Sequence, residues 1–182
     1  MTIRYIITPQ TAAHHYLVKL VFTARTQSHC LTLPVWIPGS YMVREFSKNI
    51  IKLSATHNSQ AVISHQVDKN KWLLEGLTTG DQVEVSYNVY AHEYGIRTAF
   101  LDAKRGYFNP TSLCLSVAGY EDETHQVQFV DLPADWQVAC GLAADEDEIF
   151  SAQDYDELID SPFELGTFER LEFSVAGVNH YL

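Results

Sequence analysis

Long apolar runs are missing from this sequence of 182 residues. No stretch approaches the roughly 18 consecutive apolar residues that a membrane-spanning helix needs. The opening residues, MTIRYIITPQ, lack the basic segment followed by an apolar run that marks a secretory signal. Hydrophobic residues make up 46% of the chain and charged residues 19%. We therefore expect a folded, soluble protein with no membrane partner, and we take the cytoplasm as its compartment.

Basic side chains are also scarce, with 12 Lys and Arg against 23 Asp and Glu and a net charge of -11. No Lys or Arg occurs between Arg105 and Arg170, whereas residues 145–148 are all acidic. This balance argues against nucleic acid or an anionic membrane as a partner, because both need basic patches. We expect the acidic run to be a solvated loop, since it lacks the alternating ligands and the glycine of a calcium-binding loop.

Cysteine is limited to Cys30, Cys114 and Cys140, which are far apart and form no C-x-x-C pair. An odd number at such spacing does not predict a disulfide framework or a cysteine zinc site. Free thiols that behave as small buried hydrophobes are the expected state.

Motifs for a reaction centre are missing as well. His92-Glu93 begins like H-E-x-x-H, but Ile96 stands where the second histidine is required. His14 and His15 are adjacent in a predicted strand, where neighbouring side chains point to opposite faces. No G-x-S-x-G or phosphate-binding glycine motif occurs. The sequence therefore predicts no catalytic residue and no metal site within these residues.

What the sequence does contain is a strong period of two. Apolar residues alternate with polar ones over residues 83–89, 126–129 and 171–175, and over residues 16–22 every even position is apolar. Shorter strands are expected at 30–35, 49–55, 61–64, 71–74, 98–101, 111–117 and 178–182. Turn residues such as Thr79-Gly80-Asp81 and Asn109-Pro110 separate them. The predicted fold class is all-β, an antiparallel sandwich or saddle that forms a single domain over 1–182.

One short helix is predicted over residues 152–159. Ser151 and Asp154 resemble a capping box, Tyr155 and Leu158 are spaced for one helix face, and Pro162 closes the segment. A helix of about two turns needs to dock on the sheets to be stable.

Residues 33–50 combine a tight turn with an unusual density of aromatic and charged side chains. Ile37-Pro38-Gly39-Ser40 fits a type II turn, since proline sets φ at the second position and glycine accepts a positive φ at the third. The surrounding aromatic rings have two possible roles. They either pack into the hydrophobic core or form a binding surface.

Two further clusters, residues 97–110 and 154–166, are rich in charge. The first is expected to be a salt-bridged strand connection, and the second a capped surface helix. A binding role would require them to converge in space.

The segments LPVWIPGSYMVREFSKNI, RTAFLDAKRGYFNPTSL and FSAQDYDELIDSPFELG together resemble the N-terminal domain of the glycyl aminopeptidase family of zinc metallopeptidases. Many members also carry a C-terminal PDZ domain. The resemblance implies an all-β domain like the saddle-shaped first domain of the larger zinc aminopeptidases. A thermolysin-like catalytic domain with H-E-x-x-H, a distal glutamate and a G-G-L-E-H-type motif would follow.

None of those catalytic motifs occurs in 1–182. The resemblance therefore implies a non-catalytic fragment of a longer peptidase, with zinc in the catalytic domain. Its expected partners are that catalytic domain and a peptide substrate. Its expected roles are docking and shaping of the substrate cleft.

By the same resemblance, a loop of this domain reaches the cleft and helps to hold the free amine of the substrate. Asp102, Asn109 and Asp160 carry oxygens suited to an ammonium group, and Tyr107 could pack beside a small side chain. All four are candidate cleft residues.

The candidate interface residues come from the aromatic turn and are Trp36, Tyr41, Arg44 and Phe46. We expect Trp36 to pack inward at the corner of the sheet, with the other three facing the neighbouring domain or the cleft.

Two alternatives remain open. One is a free-standing β-sandwich module that binds a peptide or carbohydrate through Trp36, Tyr41 and Tyr107. The other is a small glycosidase-like enzyme that uses Asp102 and Asp160 as its acidic pair.

Overall fold

A computed structural model describes residues 1–40 and 42–181, and strands dominate it. In chain order the strands are β1 (Thr2–Gln10), β2 (His15–Thr23), β3 (Ser28–Thr32), β4 (Ile50–His57), β5 (Gln60–Asp68), β6 (Lys71–Glu75), β7 (Gln82–Tyr90), β8 (Ala99–Leu101), β9 (Arg105–Phe108), β10 (Ser116–Val117), β11 (Thr124–Phe129), β12 (Gln137–Ala139), β13 (Ala143–Ala144), β14 (Phe150–Ala152), β15 (Phe163–Gly166), β16 (Glu172–Val175) and β17 (Val178–Tyr181). The helix α1 is Tyr155–Ile159, and 3₁₀ turns lie at Thr11–Ala13, Phe46–Asn49 and Pro110–Ser112.

The strands form three sheets. The large sheet has 11 strands in the order β10-β3-β6-β5-β4-β7-β2-β1-β11-β14-β13. A four-stranded sheet has the order β12-β15-β9-β8, and β16 and β17 form a separate hairpin. Among the described strands, β1 and β11 are parallel and the other pairs are antiparallel. The predicted all-β fold of antiparallel sheets with one short helix is confirmed.

Alternation of apolar side chains explains the centre of the large sheet. In β2, Tyr16, Val18 and Leu20 are completely buried, and the residues between them are partly exposed. The neighbouring β7 shows the same pattern and pairs with β2 in register, with Tyr16 opposite Val89. Each such buried side chain stabilises the fold by about 1.5–3 kcal/mol relative to its exposed state.

The sequence pattern does not reveal β1. Its Ile3, Tyr5 and Ile7 are completely buried. The additional apolar Ile6 blurs the alternation, and Pro9, which cannot donate a ladder hydrogen bond, is unusual in a strand. Pro9 is accommodated near the end of β1, opposite Tyr16 of β2.

The prediction of a strand over 111–117 is wrong. Asn109 caps the 3₁₀ turn Pro110–Ser112, and only Ser116–Val117 forms a strand. Between them, residues 113–115 cross the core as irregular backbone. The hydroxyls of Tyr87, Tyr155 and Tyr5 donate to their three carbonyls at 2.7, 2.6 and 2.8 Å. These bonds supply the partners that irregular buried backbone would otherwise lack.

The helix begins later than predicted, at Tyr155 instead of residue 152. Asp154 is its N-cap, since the Asp154 carboxylate accepts from the Glu157 amide at 2.7 Å. Glu157 in turn accepts from the amide of Gln153, the residue before the N-cap, at 2.6 Å, so the bonds resemble a capping box that lies three residues beyond Ser151.

The acidic loop 145–148 is fully exposed, as predicted. Cys114 is a buried free thiol, and Cys30 and Cys140 are free and partly buried. No helix in the described part of the chain is long and apolar enough to cross a membrane.

Candidate functional site

Three sequence segments, residues 33–50, 97–110 and 154–166, come together in the structure. The 3₁₀ turn Phe46–Asn49 packs against the turn Pro110–Ser112, which packs against α1. Strand β15 pairs with β9 along its whole length. The convergence that a binding role would require is therefore present.

The turn in the first segment has the predicted geometry. The Ser40 amide donates to the Ile37 carbonyl at 3.0 Å, and Gly39 has φ +74°. The Arg44 guanidinium closes the loop, because it donates to the Ser40 carbonyl, the Ser40 hydroxyl and the Met42 carbonyl at 3.0–3.3 Å. Arg44 therefore has a structural task within the loop, and its proposed interface role is not tested.

Two orientations predicted for the aromatic turn are wrong. Trp36 is predicted to pack inward but is 43% exposed. The odd-numbered Leu31, Leu33 and Ile37 are buried, so the even-numbered Trp36 faces outward. Phe46 is only 3% exposed, because the 3₁₀ turn directs its ring into the core. The predicted interface residue Tyr41 lies outside the described residues.

Other apolar side chains are exposed at this end of the molecule. Met42 is 67% and Val43 is 70% exposed. The loop that follows β7 exposes Tyr94 and Ile96 by 81% and 72%. An ion pair of 3.0 Å from Lys48 to Glu93 joins the two regions.

Asn109 is buried and already occupied. It is 8% exposed, and its side-chain oxygen accepts from the Thr111 amide at 3.0 Å and the Thr111 hydroxyl at 2.6 Å. That oxygen caps the 3₁₀ turn, and the role of Asn109 as a cleft residue stays a prediction.

The Asp102 carboxylate closes the β8–β9 hairpin. It accepts from the Lys104 and Arg105 amides at 2.7 and 2.8 Å. Burial would raise the pKa of Asp102, but these two hydrogen bonds outweigh it and hold the pKa below its ordinary value.

Asp160 is exposed at the C-terminal end of α1. Asp160 comes just before β15, whose first residue, Phe163, pairs with Phe108 at the last position of β9. Asp102 comes just before the first residue of β9, Arg105. The two carboxylates therefore belong to opposite ends of β9, which does not favour the acidic pair of a glycosidase.

Of the four candidate cleft residues, Tyr107 lines a groove on the four-stranded sheet, and Asp102, Asn109 and Asp160 do not line that groove. The groove has a volume of about 240 Å³ and also includes Tyr94, Phe100, Arg105 and Glu164. Glu164 stands opposite Tyr107 in the β9–β15 ladder, and Phe100 stands opposite Tyr107 in β8. Opposite residues share a face, so the outward side of the four-stranded sheet forms the floor.

Aromatic contacts define the apolar side of this groove. The ring of Tyr94 lies 4.3 Å from that of Phe100, which is only 3% exposed beneath it. The Tyr107 hydroxyl donates to the Ile96 carbonyl at 2.7 Å and thereby fixes the loop that carries Tyr94.

The polar side of the groove is an ion pair. Arg105 Nη2 lies 2.8 and 3.0 Å from the two carboxylate oxygens of Glu164. Partial burial raises the pKa of Glu164, and the Arg105 guanidinium opposes this shift. Burial and then the nearby Glu164 charge raise the pKa of Tyr107. The groove thus holds one oriented carboxylate beside an aromatic wall.

Glu164 also borders a second concavity of about 590 Å³. This one includes Cys140, Phe168, Arg170 and Tyr181. The Arg170 guanidinium lies 4.9 Å from the centre of the Tyr181 ring, which belongs to β17. One surface therefore runs from Tyr94 across Glu164 to the terminal hairpin.

The sequence-based site prediction did not include Glu164, Arg105, Tyr94 or Ile96. A signal for Glu164 was present in the alternation Phe163-Glu164-Leu165, in which both neighbours are completely buried. Pairing of β15 with β9, which places Glu164 beside Tyr107, cannot be read from local sequence.

Within residues 1–40 and 42–181, no three His, Cys, Asp or Glu side chains are grouped so that they could hold a metal ion. The rings of His14 and His92 are tilted by 39° with their centres 4.1 Å apart, and His14 Nδ1 forms a hydrogen bond with the Leu101 carbonyl at 2.6 Å.

The Peptidase M61 N-terminal domain family model matches residues 4–167. The chain belongs to this family. The M61 N-terminal domain is also similar to a solved structure, an aminopeptidase N family protein from Idiomarina loihiensis, with 38% identity and a TM-score of 0.93. The match covers 98% of this chain and 32% of the Idiomarina protein. The family resemblance seen in the sequence is confirmed.

More distant structures share the fold of this M61 N-terminal domain. An M1 zinc metallopeptidase mutant from Deinococcus radiodurans, bound to a Tyr-Ser-Ala substrate, has 13% identity and a TM-score of 0.56. That match covers 100% of this chain and 46% of the other. No curated protein matches the chain. The M61 N-terminal domain thus spans less than half of each of these solved proteins.

Proposed function

We propose that this M61 N-terminal domain docks on the catalytic part of a zinc aminopeptidase and forms one wall of its substrate cleft. The observation that carries the proposal is the continuous surface from Tyr94 across Glu164 to the terminal hairpin. It combines exposed apolar side chains, which need a partner, with a carboxylate suited to a substrate amine.

The hairpin β16–β17 is the proposed docking element. Every residue of both strands is exposed. Leu171, Phe173, Val175, Val178 and Tyr181 are each 43–62% exposed. An isolated two-stranded hairpin is marginally stable in water, and apolar patches of this kind mark interaction sites. Contact with a catalytic domain would cover the hairpin and stabilise it.

The groove at Glu164 is the proposed cleft wall. A terminal ammonium group only donates hydrogen bonds, so it needs an acceptor such as a carboxylate. Glu164 provides one, and its ion pair with Arg105 holds both oxygens in place. Tyr107 and Tyr94 would pack beside the first side chain of a peptide. Among the earlier candidates, this keeps Tyr107 and leaves Asp102 and Asp160 outside the groove.

The remaining parts of the proposal rest on the family. The share of the Idiomarina protein that this chain matches, 32%, supports a longer parent polypeptide. We place zinc and the peptidase chemistry in the rest of that polypeptide, with a C-terminal PDZ domain as an additional module. We place the parent protein in the cytoplasm, and its chemistry at the amino end of glycyl peptides.

Association tests the docking role. The purified chain is mixed with the Idiomarina protein from which the matching segment has been removed, and sedimentation velocity measures complex formation. We expect a one-to-one complex that Phe173→Asp weakens at least about tenfold, because a charge would enter the apolar contact. Ile63→Asp, at a residue that is 62% exposed on β5, is the matched control and should leave association unchanged.

Absence of a complex would contradict docking, and so would equal weakening by both variants. A free-standing module is the second candidate, favoured by the exposed Trp36 and by the aromatic groove. It predicts binding of a peptide or glycan by the chain alone, with no association with the truncated relative.

A further inference from the structure

A third concavity, of about 710 Å³, lies between β4 and β5 and shares no lining residue with the proposed cleft. Its walls are the first half of β4 and the second half of β5. The partly buried Leu53 and the buried Trp72 contribute apolar surface to it.

The concavity exists because two paired strands separate. β4 and β5 pair from His57–Gln60 only as far as Ala55–Val62. Beyond that point β5 continues along β6, and β4 continues along β7. The described residues form no ladder between the two diverging halves, which leaves a wedge, the β4–β5 wedge, between them.

The β5 side of the wedge is an open sheet edge. Residues 58 and 59 form a two-residue hairpin turn with φ of +48° and +61°, so the closing pair His57–Gln60 exchanges both of its hydrogen bonds. Every second residue after Gln60 then directs its peptide group toward β4. At Ser64 and Gln66, which line the wedge, none of the strands in residues 1–40 and 42–181 receives those groups. Such an edge is a template for an additional strand.

The β4 side contributes positive charge. A bulge lies between Ile51 and Ser54, where Lys52 has φ +56°. Lys48 and Lys52 line the wedge on this side, and Lys69 lines it from the turn between β5 and β6, together with its ion-pair partner Glu45. The lining is therefore net positive in a chain of net charge -11. Lys48 and Lys69 are exposed and each has one carboxylate partner, at 3.0 and 2.8 Å. Lys52 forms no ion pair with any described residue.

We propose that the β4–β5 wedge binds an extended acidic peptide segment, which adds to the edge of β5 as a strand. The peptide backbone pairs with Ser64 and Gln66. Its acidic side chains face Lys48, Lys52 and Lys69, and its apolar side chains contact Leu53 or Trp72. This site is separate from the proposed cleft and does not depend on the proposed docking role.

The test uses a fluorescent peptide, Glu-Val-Glu-Thr-Glu-Val, and the full chain, with anisotropy measured at low and at physiological salt. The matched peptides carry Lys in place of Glu, or N-methyl groups at alternate residues. We expect binding of the acidic peptide alone. N-methylation at one of the two alternating sets of peptide residues should abolish binding, because strand pairing needs the N–H groups of that set. Physiological salt should weaken binding, because it screens the charges.

Protein variants locate the site. Lys52→Glu should weaken binding of the acidic peptide about fivefold, the effect of about 1 kcal/mol of lost charge interaction. Lys104→Glu, the same charge change in the β8–β9 turn, should leave it unchanged. Binding that tolerates N-methylation in both registers would overturn strand addition. No binding, or equal binding of the lysine peptide, would show that Lys52 and the bulge only protect the edge against unwanted pairing.

Discussion

At the scale of single residues, Gly106 in β9 shows how tightly the two main sheets approach each other. A Cβ atom at this position would lie 2.5 Å from the hydroxyl of Tyr16 and 3.2 Å from a methyl group of Leu101. Tyr16 cannot move away easily, because it is completely buried and donates to the Phe100 carbonyl at 3.0 Å. Only glycine fits between these side chains.

Gly106→Ala should therefore lower the free energy of unfolding by about 2 kcal/mol, the usual cost of overpacking a core. Gly141→Ala is the control, since a Cβ there meets no atom within 4 Å. It should change the free energy by less than about 0.5 kcal/mol. Urea unfolding of both variants measures the difference, and equal effects would show that the approach of the sheets is looser than described.

A second residue-scale feature is the carboxylate of Glu123. It accepts from the N-terminal ammonium of Met1 at 2.5 Å and from the Arg25 guanidinium. These two partners lower the pKa of Glu123 from 4.5 to about 2. Because the folded pKa lies below the unfolded value, the unfolded chain takes up its proton first as the pH falls. The stabilisation is complete above pH 4.5 and is lost between 4.5 and about 2.

Glu123→Gln should consequently lower the melting temperature at pH 7. The gap between variant and parent should close as the pH falls from 4.5 toward 2. Thermal unfolding of untagged protein across this range measures it. The control is Glu146→Gln in the exposed acidic loop, which should leave the melting temperature at pH 7 nearly unchanged. A gap that stays constant with pH would contradict the assigned ion pairs.

At the scale of elements, the buried segment 113–115 depends on side chains instead of on a ladder. Tyr5, Tyr87 and Tyr155 each donate to one of its carbonyls, and burial raises the pKa of all three tyrosines well above the ordinary value. The three donors come from β1, β7 and α1. The segment therefore joins the N-terminal strand β1 and the helix α1 to β7 in the large sheet.

Tyr155→Phe keeps the ring and removes one of these donors. The Cys114 carbonyl would stay buried without its partner, which should cost about 2 kcal/mol of unfolding free energy. Tyr94→Phe changes a residue that is 81% exposed and should cost less than about 0.5 kcal/mol. Chemical denaturation of the two variants compares them. A small loss for Tyr155→Phe would mean that the hydroxyl is not needed by the segment.

Local sequence predicts the elements in which one rule dominates. β2 and β7 follow the period of two, and the type II turn follows from Pro38 and Gly39. Elements that are stabilised by residues distant in the sequence cannot be predicted from local patterns. Residues 111–117 have the composition of a strand, yet three tyrosine hydroxyls stabilise residues 113–115 as irregular backbone. β1 pairs with its chain neighbour β2 and, in parallel, with β11 more than a hundred residues away, and its own local sequence shows neither pairing.

The site shows the same limit. Sequence identifies the three segments that converge, but a side chain's task depends on the turn in which it stands. Asn109 and Asp102 carry suitable oxygens, yet both are used by backbone amides of their own turns. Glu164 became a candidate only because β15 places it beside Tyr107 and Arg105.

At the scale of the whole molecule, the exposed apolar side chains are unevenly distributed. Exposed apolar side chains concentrate in the terminal hairpin and in the loops around residues 42 and 94. The acidic loop 145–148 is exposed elsewhere in the chain, and three lysines line the β4–β5 wedge. This distribution suits a domain that meets its main partner through apolar contacts and keeps its charge in solvent.

Glycine release from glycyl-p-nitroanilide tests the central proposal most directly. The truncated Idiomarina protein is assayed with zinc, with and without this chain, and the chain is assayed alone. We predict no release by the chain alone, slow release by the truncated protein, and a marked gain when the two are combined. Release by the chain alone, with one zinc ion bound per molecule, would contradict the proposal that this domain shapes the cleft without catalysing the reaction.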